Sequence, residues 1–245
     1  MPQKIGALLQ HWRKARHKSQ LTLAIEAGVS ARHLCFLETG RAKPSRDMVL
    51  QLAGALDVPL RERNALLLAA GFAPEYRESQ LDARELAAVT AALDAILKQQ
   101  EPHPAVAMNR RWDIVRTNRA AAKFFGLLLD GREGPPNVLT LMFDPKWVRP
   151  FVVKWEAVAV SLLHRVHREA VGGVVDEALL TRLYQYPGVP RTETLGPSTL
   201  PVVPVSFEKN GRRWDYFSTV TTLGTAQDVT AQELRIECFF PLVAK

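Results

Sequence analysis

The stretch SQLTLAIEAGVSARHLCFLETG, residues 19–40, carries the signals of two short helices joined by a sharp turn. Leu23 and Ala24 fall on the same side of the first helix and can be buried together. Gly28 can adopt the left-handed conformation that a sharp helix end requires. Ser30 follows as the cap of the second helix, because its hydroxyl can accept a hydrogen bond from the free amides of the first turn. The pattern predicts a helix-turn-helix.

The second of these helices has an apolar side and an exposed side. Leu34 and Leu37 are three residues apart, so that both face inward. Four side chains are expected to point outward: Ala31, Arg32, His33 and Phe36. A helix that enters the major groove of DNA needs an outward face of this kind. The segment therefore predicts contact with duplex DNA, and a transcription regulator as the class of protein.

Positive charge is concentrated around this motif. Residues 1–45 contain 8 Lys and Arg against 2 acidic residues, which accounts for +6 of the +7 net charge of the whole chain. The remaining residues contain 24 basic and 23 acidic side chains. A basic surface confined to one small module favours contact with phosphates over an ordinary solvated surface.

Composition limits the other possibilities. A chain of 245 residues has room for one small and one medium domain, and 47% hydrophobic residues exclude wholesale disorder. No apolar run approaches the roughly 18 residues of a membrane span, and the N-terminus lacks the pattern of a signal peptide. Cys35 and Cys238 share no metal or redox spacing, and His164 and His167 have no nearby Cys or carboxylate partner. We expect a cytoplasmic protein without a metal site.

Residues 1–73 are expected to form an all-α domain of five helices around the motif. The first helix has an inward stripe at helical spacing: Ile5, Leu8, Leu9 and Trp12. Ser45 caps the fourth helix, and Pro59 opens the fifth. Residues 74–100 are expected to be a linker and a connecting helix capped by Asp82. An apolar stripe on that helix packs either on its own domain or against a second chain: Leu86, Val89, Leu93 and Ile96.

Residues 101–245 change from a helical texture to a mixture of strands and helices. The predicted elements are strands 105–109 and 112–117, helices 119–127 and 138–143, a long helix after Pro145, helix 175–184, and strands 202–209, 212–222 and 235–240. Asn210-Gly211 between two alternating segments is the strongest short signal for a β-hairpin. This order predicts an α+β domain, an antiparallel sheet with helices on one face. PAS-like sensor domains have this order of elements.

Two sets of motifs carry a resemblance to known families. The first set is Arg13, Ser19-Gln20, Leu23-Ala24, Ala27-Gly28-Val29-Ser30, Leu37-Glu38, Gly40 and Pro44-Ser45. With these features, the first 45 residues resemble the Cro-type, or XRE-family, helix-turn-helix. The second set is VPLRERN at 58–64, AGFAP at 70–74, FSTVTTLGTA at 217–226, DVT at 228–230, RIE at 235–237 and FFP at 239–241. These strings resemble the MmyB-type regulators of bacteria, whose C-terminal half is a PAS-like ligand-binding domain.

The first resemblance implies roles for individual residues. Three of them would contact DNA phosphates: Gln20, Arg41 and Lys43. Three others would face base edges: Ala31, Arg32 and Phe36. Arg32 can bind guanine in a bidentate way, whereas the two apolar residues can contact a thymine methyl. His33 is either a phosphate contact or a solvated residue. Arg13 and Glu38 would form a partly buried ion pair between the first helix and the end of the reading helix.

The PAS-like half is expected to enclose a pocket for a small apolar or fatty-acid-like molecule. Its candidate apolar walls are Trp112, Phe124, Phe125, Trp147, Phe151, Trp155, Phe217 and Phe239. Its candidate polar groups are Asn118, Arg149, Thr219 and Thr222. No axial ligand for haem and no glycine-rich phosphate loop for flavin is evident, so no cofactor is expected.

These residues bear on three classes of function. The sequence has no nucleophile elbow, dinucleotide fingerprint or zinc-protease motif, so we expect no enzyme. The favoured class is a ligand-sensing regulator that binds a palindromic operator as a homodimer, because each chain has one reading helix. The alternative is a DNA-binding regulator whose C-terminal domain serves only dimerisation or protein-partner contacts, without a ligand.

Overall fold

The structure, a computed structural model, describes residues 4–168, 177–191 and 204–242. The chain divides into two compact units, the first built from residues up to Glu78 and the second from most of the chain after Ser79. Each unit has an apolar core of its own. In the described part of the chain, no helix is both long enough and apolar enough to cross a membrane.

The first unit is a bundle of five helices, as the sequence predicts. They are α1 (Ile5–Ala15), α2 (Gln20–Glu26), α3 (Ala31–Glu38), α4 (Arg46–Ala55) and α5 (Leu60–Ala69). The hydroxyls of Ser19, Ser30 and Ser45 cap α2, α3 and α4 by accepting hydrogen bonds from backbone amides. Gly28 ends the turn between α2 and α3 with a φ of +61°, where a side chain would be strained.

Helices α1 and α3 approach each other closely at Gly6. A Cβ atom on this residue would lie 2.5 Å from the carbonyl oxygens of both Leu37 and Glu38. These carbonyls belong to the last turn of α3, which cannot move without distorting the helix. Glycine at position 6 therefore fixes the depth at which α1 packs against the end of α3.

The chain that follows α5 is fastened back onto that helix. The side-chain oxygen of Asn64 accepts hydrogen bonds of 3.0 Å from the backbone amides of Glu75 and Tyr76, and its Nδ2 donates to the Tyr76 carbonyl at 2.7 Å. Arg61 adds an ion pair with Glu78. Residues 75–78 are thus attached to the first unit.

The second unit is built around an antiparallel sheet. Its elements are α6 (Ala87–Gln99), β1 (Ala105–Met108), β2 (Ile114–Thr117), α7 (Arg119–Leu128), α8 (Val138–Phe143), α9 (Trp155–Arg168), α10 (Glu177–Tyr184), β3 (Val205–Lys209), β4 (Arg212–Thr222), α11 (Val229–Glu233) and β5 (Arg235–Pro241). The described strands pair in the order β2-β1-β5-β4-β3. Asn210 and Gly211 have φ angles of 53° and 73°, as a tight hairpin turn requires. The predicted α+β fold class is confirmed.

The register of the strands separates two faces of the sheet. Phe217, Thr219 and Thr221 pair with Phe240, Cys238 and Ile236 and share one face with them. On this face lies α6, whose Leu93 and Leu97 pack against Ala105, Ala107, Ile236 and Cys238. On the other face, Phe124 of α7 contacts Phe207 and Tyr216, and Arg165 of α9 pairs with Glu237. Helices α7 and α9 cover this second face of the sheet, and the connecting helix α6 covers the first.

The stripe on the connecting helix is used within its own unit. Leu86 and Leu93 are 4% and 2% exposed, and Val89 and Ile96 are half-buried. Of the two alternatives, packing on its own domain is therefore correct for the buried leucines, which have no surface left for a second chain. The predicted cap Asp82 was wrong: a short 3-10 turn at Arg84–Leu86 precedes α6, with Ala83 in the capping position.

The long helix expected after Pro145 is interrupted. Val152 forms an isolated bridge with Phe207, and the amide of Val153 donates to the Ser206 carbonyl at 2.8 Å. Lys154 then takes a φ of 51°, and α9 begins at Trp155. The edge of β3 captures this short stretch of backbone, which overrides the helical spacing of its side chains. Helix α11 was not predicted, and the expected starts at 175 and 202 lie outside the described residues.

Candidate functional site

One group of basic side chains in the first unit serves the fold. Arg16 Nε donates to the carbonyl of Leu56 at 2.9 Å, and Lys18 Nζ donates to the carbonyl of Ala55 at 2.8 Å. Both cations therefore satisfy the C-terminal end of α4, where the helix dipole favours positive charge. Arg13 is bound internally by Glu38. The charge of these three residues is already compensated by the protein.

The second group is exposed and lies on α3 and the loop after it. Arg32, Arg41 and Lys43 are all exposed, and within the described residues their side chains have no hydrogen-bond or ion-pair partner. Two of them flank an aromatic ring: the guanidinium carbons of Arg32 and Arg41 lie 5.4 and 6.0 Å from the ring centroid of Phe36. This face of the unit carries three uncompensated cations around one helix.

The other residues predicted to contact DNA have mixed surroundings. Ala31 and His33 are half-buried in the first turn of α3, and the amide of His33 is occupied by the Ser30 cap. Gln20 Nε2 donates to Glu38 Oε2 at 2.8 Å. The amide nitrogen of Gln20 thus joins the ion pair within the bundle, rather than standing free on the surface.

Arg13 and Glu38 form a bidentate ion pair between α1 and the end of α3. Arg13 Nε and Nη2 donate to Glu38 Oε1 and Oε2 at 2.6 and 2.8 Å, and Nη1 donates to the Lys18 carbonyl at 2.9 Å. The Glu38 side chain is 1% exposed and that of Arg13 is 11% exposed. Hydrogen bonding to Glu38 raises the pKa of Arg13. This pair orients the C-terminal end of the reading helix.

In the second unit, a groove of about 940 Å³ lies where the end of α6 meets the start of α7. Its apolar wall is formed by Leu97, Pro102, Pro104, Phe124 and Tyr216. Three cations line it as well: Lys98, Arg119 and Lys123. Burial raises the pKa of Tyr216, so its phenol stays protonated at neutral pH and can donate a hydrogen bond.

The charges around this groove do not cancel. Asp94 pairs with Arg116 at 2.9 Å, and Glu101 accepts hydrogen bonds from the first amides of α7. Within the described residues, the side chains of Lys98, Arg119 and Lys123 have no ion-pair partner. An apolar wall beside uncompensated positive charge matches a ligand with an apolar body and an anionic group.

Two predicted pocket residues, Asn118 and Phe124, line this groove. Asn118 holds the local backbone together: its Oδ1 accepts from the amides of Ala105 and Ala121, and its Nδ2 donates to the carbonyls of Leu97 and His103. The hydrogen-bonding groups of Asn118 are therefore occupied by the fold. Phe124 belongs to an aromatic cluster that also contains Phe125, Phe207, Trp214 and Tyr216.

Three predicted pocket residues of β4, Phe217, Thr219 and Thr222, lie apart from this groove. Phe217 stacks on Phe240 and shares a face with Thr219, so both point away from the face that carries Phe239. This corrects the expectation that Phe217 and Phe239 line one cavity. Thr222 is exposed. Strand alternation separates Phe217 from Phe239, although Phe239 pairs with Ser218, the next residue of β4.

Near α8 and α9, three predicted aromatic residues each meet a cation. Arg149 lies 3.4 Å from the Trp155 ring centroid and donates to the carbonyls of Phe143 and Pro187. Burial lowers the pKa of Arg149. Trp147 meets Arg132, and Phe151 meets Lys209, at 5.8 and 4.8 Å. These contacts form part of the packing between α8, α9 and the sheet.

A buried charged cluster around Trp112 was missed by the sequence analysis. Arg165 and Arg235 lie 4.6 and 5.5 Å from the Trp112 ring centroid. Glu237 accepts from Arg165 at 2.8 Å and from the Ser218 hydroxyl at 2.6 Å. Burial, followed by the charge of Arg165, lowers the pKa of Arg235 to about 10. The alternation of Arg235, Ile236 and Glu237 was the available signal, since it places both charged residues on one face.

The described residues offer no metal centre. Within them, no group of three His, Cys, Asp or Glu side chains is placed to hold a metal ion. His164, which shares a helix with His167, is exposed, as is His167.

Comparison with known families matches both units. Residues 4–66 match the family described as helix-turn-helix domain, and residues 89–244 match the MmyB-like transcription regulator ligand binding domain. No curated protein sequence matches the chain. Both families are domains of transcription regulators rather than of enzymes, and the second spans more than half of the chain. The chain, with a helix-turn-helix unit followed by a ligand-binding unit, therefore belongs to the MmyB-like transcription regulators.

Proposed function

We propose that the protein recognises operator DNA through α3 and the loop that follows it. The observation that carries this proposal is the group of three exposed, uncompensated cations on that face, Arg32, Arg41 and Lys43. Arg32 reads a guanine from the major groove, and Arg41 and Lys43 contact the flanking phosphates. Ala31 and Phe36 supply apolar contact to the bases.

The N-terminal end of α2 supplies a further phosphate contact in this proposal. The free amides of its first turn attract an anion, and Gln20 stands at this end of the helix. Because Nε2 of Gln20 is engaged by Glu38, the contact would run through the backbone amide or require the side chain to rotate. For His33, both alternatives given by the sequence stay open in this proposal: it contacts a phosphate or is solvated.

We further propose a homodimer on a palindromic operator. The described part of each chain contains one helix placed to read DNA, α3, whereas a regulator of this type binds two half-sites about one helical turn, or ~34 Å, apart. The proposed domain boundaries are 1–73 for the DNA-binding domain, 74–100 for the linker and connecting helix, and 101–245 for the sensor. A protein that acts on DNA in this way needs no catalytic site, and we expect none.

The proposed ligand is a fatty-acid-like molecule in the groove between α6 and α7. Leu97 and Phe124 would contact its alkyl chain, and the cations Lys98, Arg119 and Lys123 would pair with its carboxylate. The volume of about 940 Å³ lies within the range of small-molecule sites. Ligand occupancy would act on the DNA-binding unit through the connecting helix, because only residues 79–86 separate α6 from residues 75–78, which are fastened to α5.

Selection from random duplex DNA tests the DNA half of the proposal. The full chain is expected to return a two-fold symmetric motif with guanine in each half-site, since one Arg32 reads each half. A protein that retains no duplex above background would refute the proposal, and an asymmetric single half-site would refute the dimer.

Calorimetric titration with dodecanoate and with dodecanol tests the ligand half. The two probes share an alkyl chain and differ in charge, so the groove is expected to bind dodecanoate more tightly. Lys98→Gln and Lys123→Gln should each weaken the binding of dodecanoate but not that of dodecanol. Lys146→Gln, an exposed control outside the groove, should weaken neither. If neither probe binds, the alternative role in dimerisation or protein-partner contacts is favoured instead.

A further inference from the structure

Two arginines reach the ring of Phe36 from different segments of the chain. Arg32 precedes Phe36 by one helical turn of α3, so that both side chains project from the same side of the helix. Arg41 comes from the loop after the helix. Their guanidinium carbons lie 5.4 and 6.0 Å from the ring centroid, within the distance at which a cation is attracted to an aromatic face.

The backbone holds this arrangement in place. The amides of Arg41 and Ala42 both donate to the carbonyl of Phe36, at 2.8 and 3.1 Å. Gly40, with a φ of +73°, reverses the chain so that the loop returns to this point. The hydroxyl of Thr39 donates to the carbonyl of Cys35 at 2.7 Å and stabilises the same last turn. The residue that carries the ring is therefore also the residue onto which the loop is fastened.

Contact with a ring face leaves the hydrogen-bonding edge of a guanidinium free. The five N–H groups of arginine lie in the plane of the group, whereas the ring interacts with its charge. Within the described residues, Arg32 and Arg41 make no hydrogen bond with their side chains, so these donors remain available. An arginine that is already held near its bound position loses less conformational entropy when it binds DNA.

We propose that Phe36 is a positioning residue that orders Arg32 and Arg41 for DNA. This inference rests on the proposed DNA contacts of those two arginines and adds a common support for both. One aromatic ring would couple a base-reading cation to a phosphate-binding cation, so that specificity and backbone affinity depend on the same side chain.

Substitution of Phe36 in the full chain tests the inference, with the duplex returned by selection from random DNA as the probe. Phe36→Leu keeps an apolar side chain but removes the ring, and affinity is expected to fall about tenfold, the cost of ordering two long side chains. Phe36→Tyr keeps the ring and should retain affinity within a factor of two or three. Melting temperatures of both variants, and the matched change Leu68→Ala at an exposed position of α5, control for folding.

A double-variant comparison separates positioning from direct contact. In a protein that already carries Arg32→Ala and Arg41→Ala, Phe36→Leu should have little further effect on affinity, because no arginine is left to position and leucine keeps an apolar contact to the bases. If Phe36→Leu weakens binding equally with and without the two arginines, the ring acts only through its own contact with the bases and the inference is overturned. If the arginine variants bind like the wild type, the proposed DNA contacts fail. If they weaken binding and Phe36→Leu does not, only the positioning role fails.

Discussion

Glu38→Gln tests whether the ion pair with Arg13 supports the reading helix. The substitution keeps the shape of the side chain and removes its charge, which leaves the guanidinium of Arg13 with no carboxylate. Arg13 and Glu38 are 11% and 1% exposed at the side chain, and both guanidinium-to-carboxylate distances are below 3 Å. Loss of one partner from a buried pair costs about 3–5 kcal/mol. We expect about 3 kcal/mol, because the remaining exposure of Arg13 admits some water.

Hydrogen exchange of backbone amides in the full chain is the assay, since it reports on the first unit separately. A loss of about 3 kcal/mol in the free energy of unfolding of the first unit predicts roughly 100-fold faster exchange. This applies to the amides that exchange through opening of the bundle α1 to α5. The matched control is Glu26→Gln, which removes the partner of Lys18 from an exposed pair in which the Glu26 side chain is 41% exposed. Exposed pairs contribute about 0–1 kcal/mol, so this variant should exchange nearly as the wild type does.

The result that refutes the reasoning is equal exchange in Glu38→Gln and Glu26→Gln. Equality would mean that the buried pair contributes no more than an exposed one. The packing of α1 on α3 would then depend on the apolar core and the close approach at Gly6 alone.

The remaining predictions concern the same unit. Arg41→Ala and Lys43→Ala should each weaken binding to all duplexes alike and reduce the slope of log affinity against log salt by about 0.9, one phosphate contact each; an unchanged slope would exclude that contact. Arg32→Ala should cost ~1–3 kcal/mol on the selected duplex and should relax the guanine preference in a repeated selection; recovery of an unchanged motif would exclude base reading by this residue. Gly6→Ala should destabilise the first unit by about 1–3 kcal/mol in amide exchange because its Cβ meets two carbonyls, whereas Gly54→Ala in α4, with open space around it, should be neutral or stabilising by about 0.5–1 kcal/mol; equal effects of the two changes would argue against the close approach.

The first unit was predictable from sequence because its signals are local. Ser19, Ser30 and Ser45 cap the helices that follow them, and Gly28 takes the conformation that the turn requires. The hairpin at Asn210-Gly211 follows from the same kind of short-range chemistry. Such signals lie within four residues of the feature that they determine, so that no knowledge of the tertiary structure is needed.

The features that were missed depend on contacts between distant segments. The break before α9 arises because β3, some fifty residues later, captures the backbone of Val153. The separation of Phe217 from Phe239 depends on the register of β4 with β5. The pair of Arg165 with Glu237 joins a helix to a strand 72 positions later. Spacing along a single element can place a residue on a face, but it does not identify the distant partner in any of these cases.

We propose that one chain joins a DNA site and a ligand site and couples them. Thermodynamic linkage requires that a ligand that changes DNA affinity by some factor must itself bind the DNA-bound protein with an affinity changed by the same factor. Dodecanoate is therefore titrated into the protein alone and into the protein saturated with the selected duplex. Coupling predicts two different dissociation constants for dodecanoate, whose ratio equals the change in DNA affinity that saturating dodecanoate causes. Identical dissociation constants in the two titrations would contradict the coupling and leave the second unit as an independent domain.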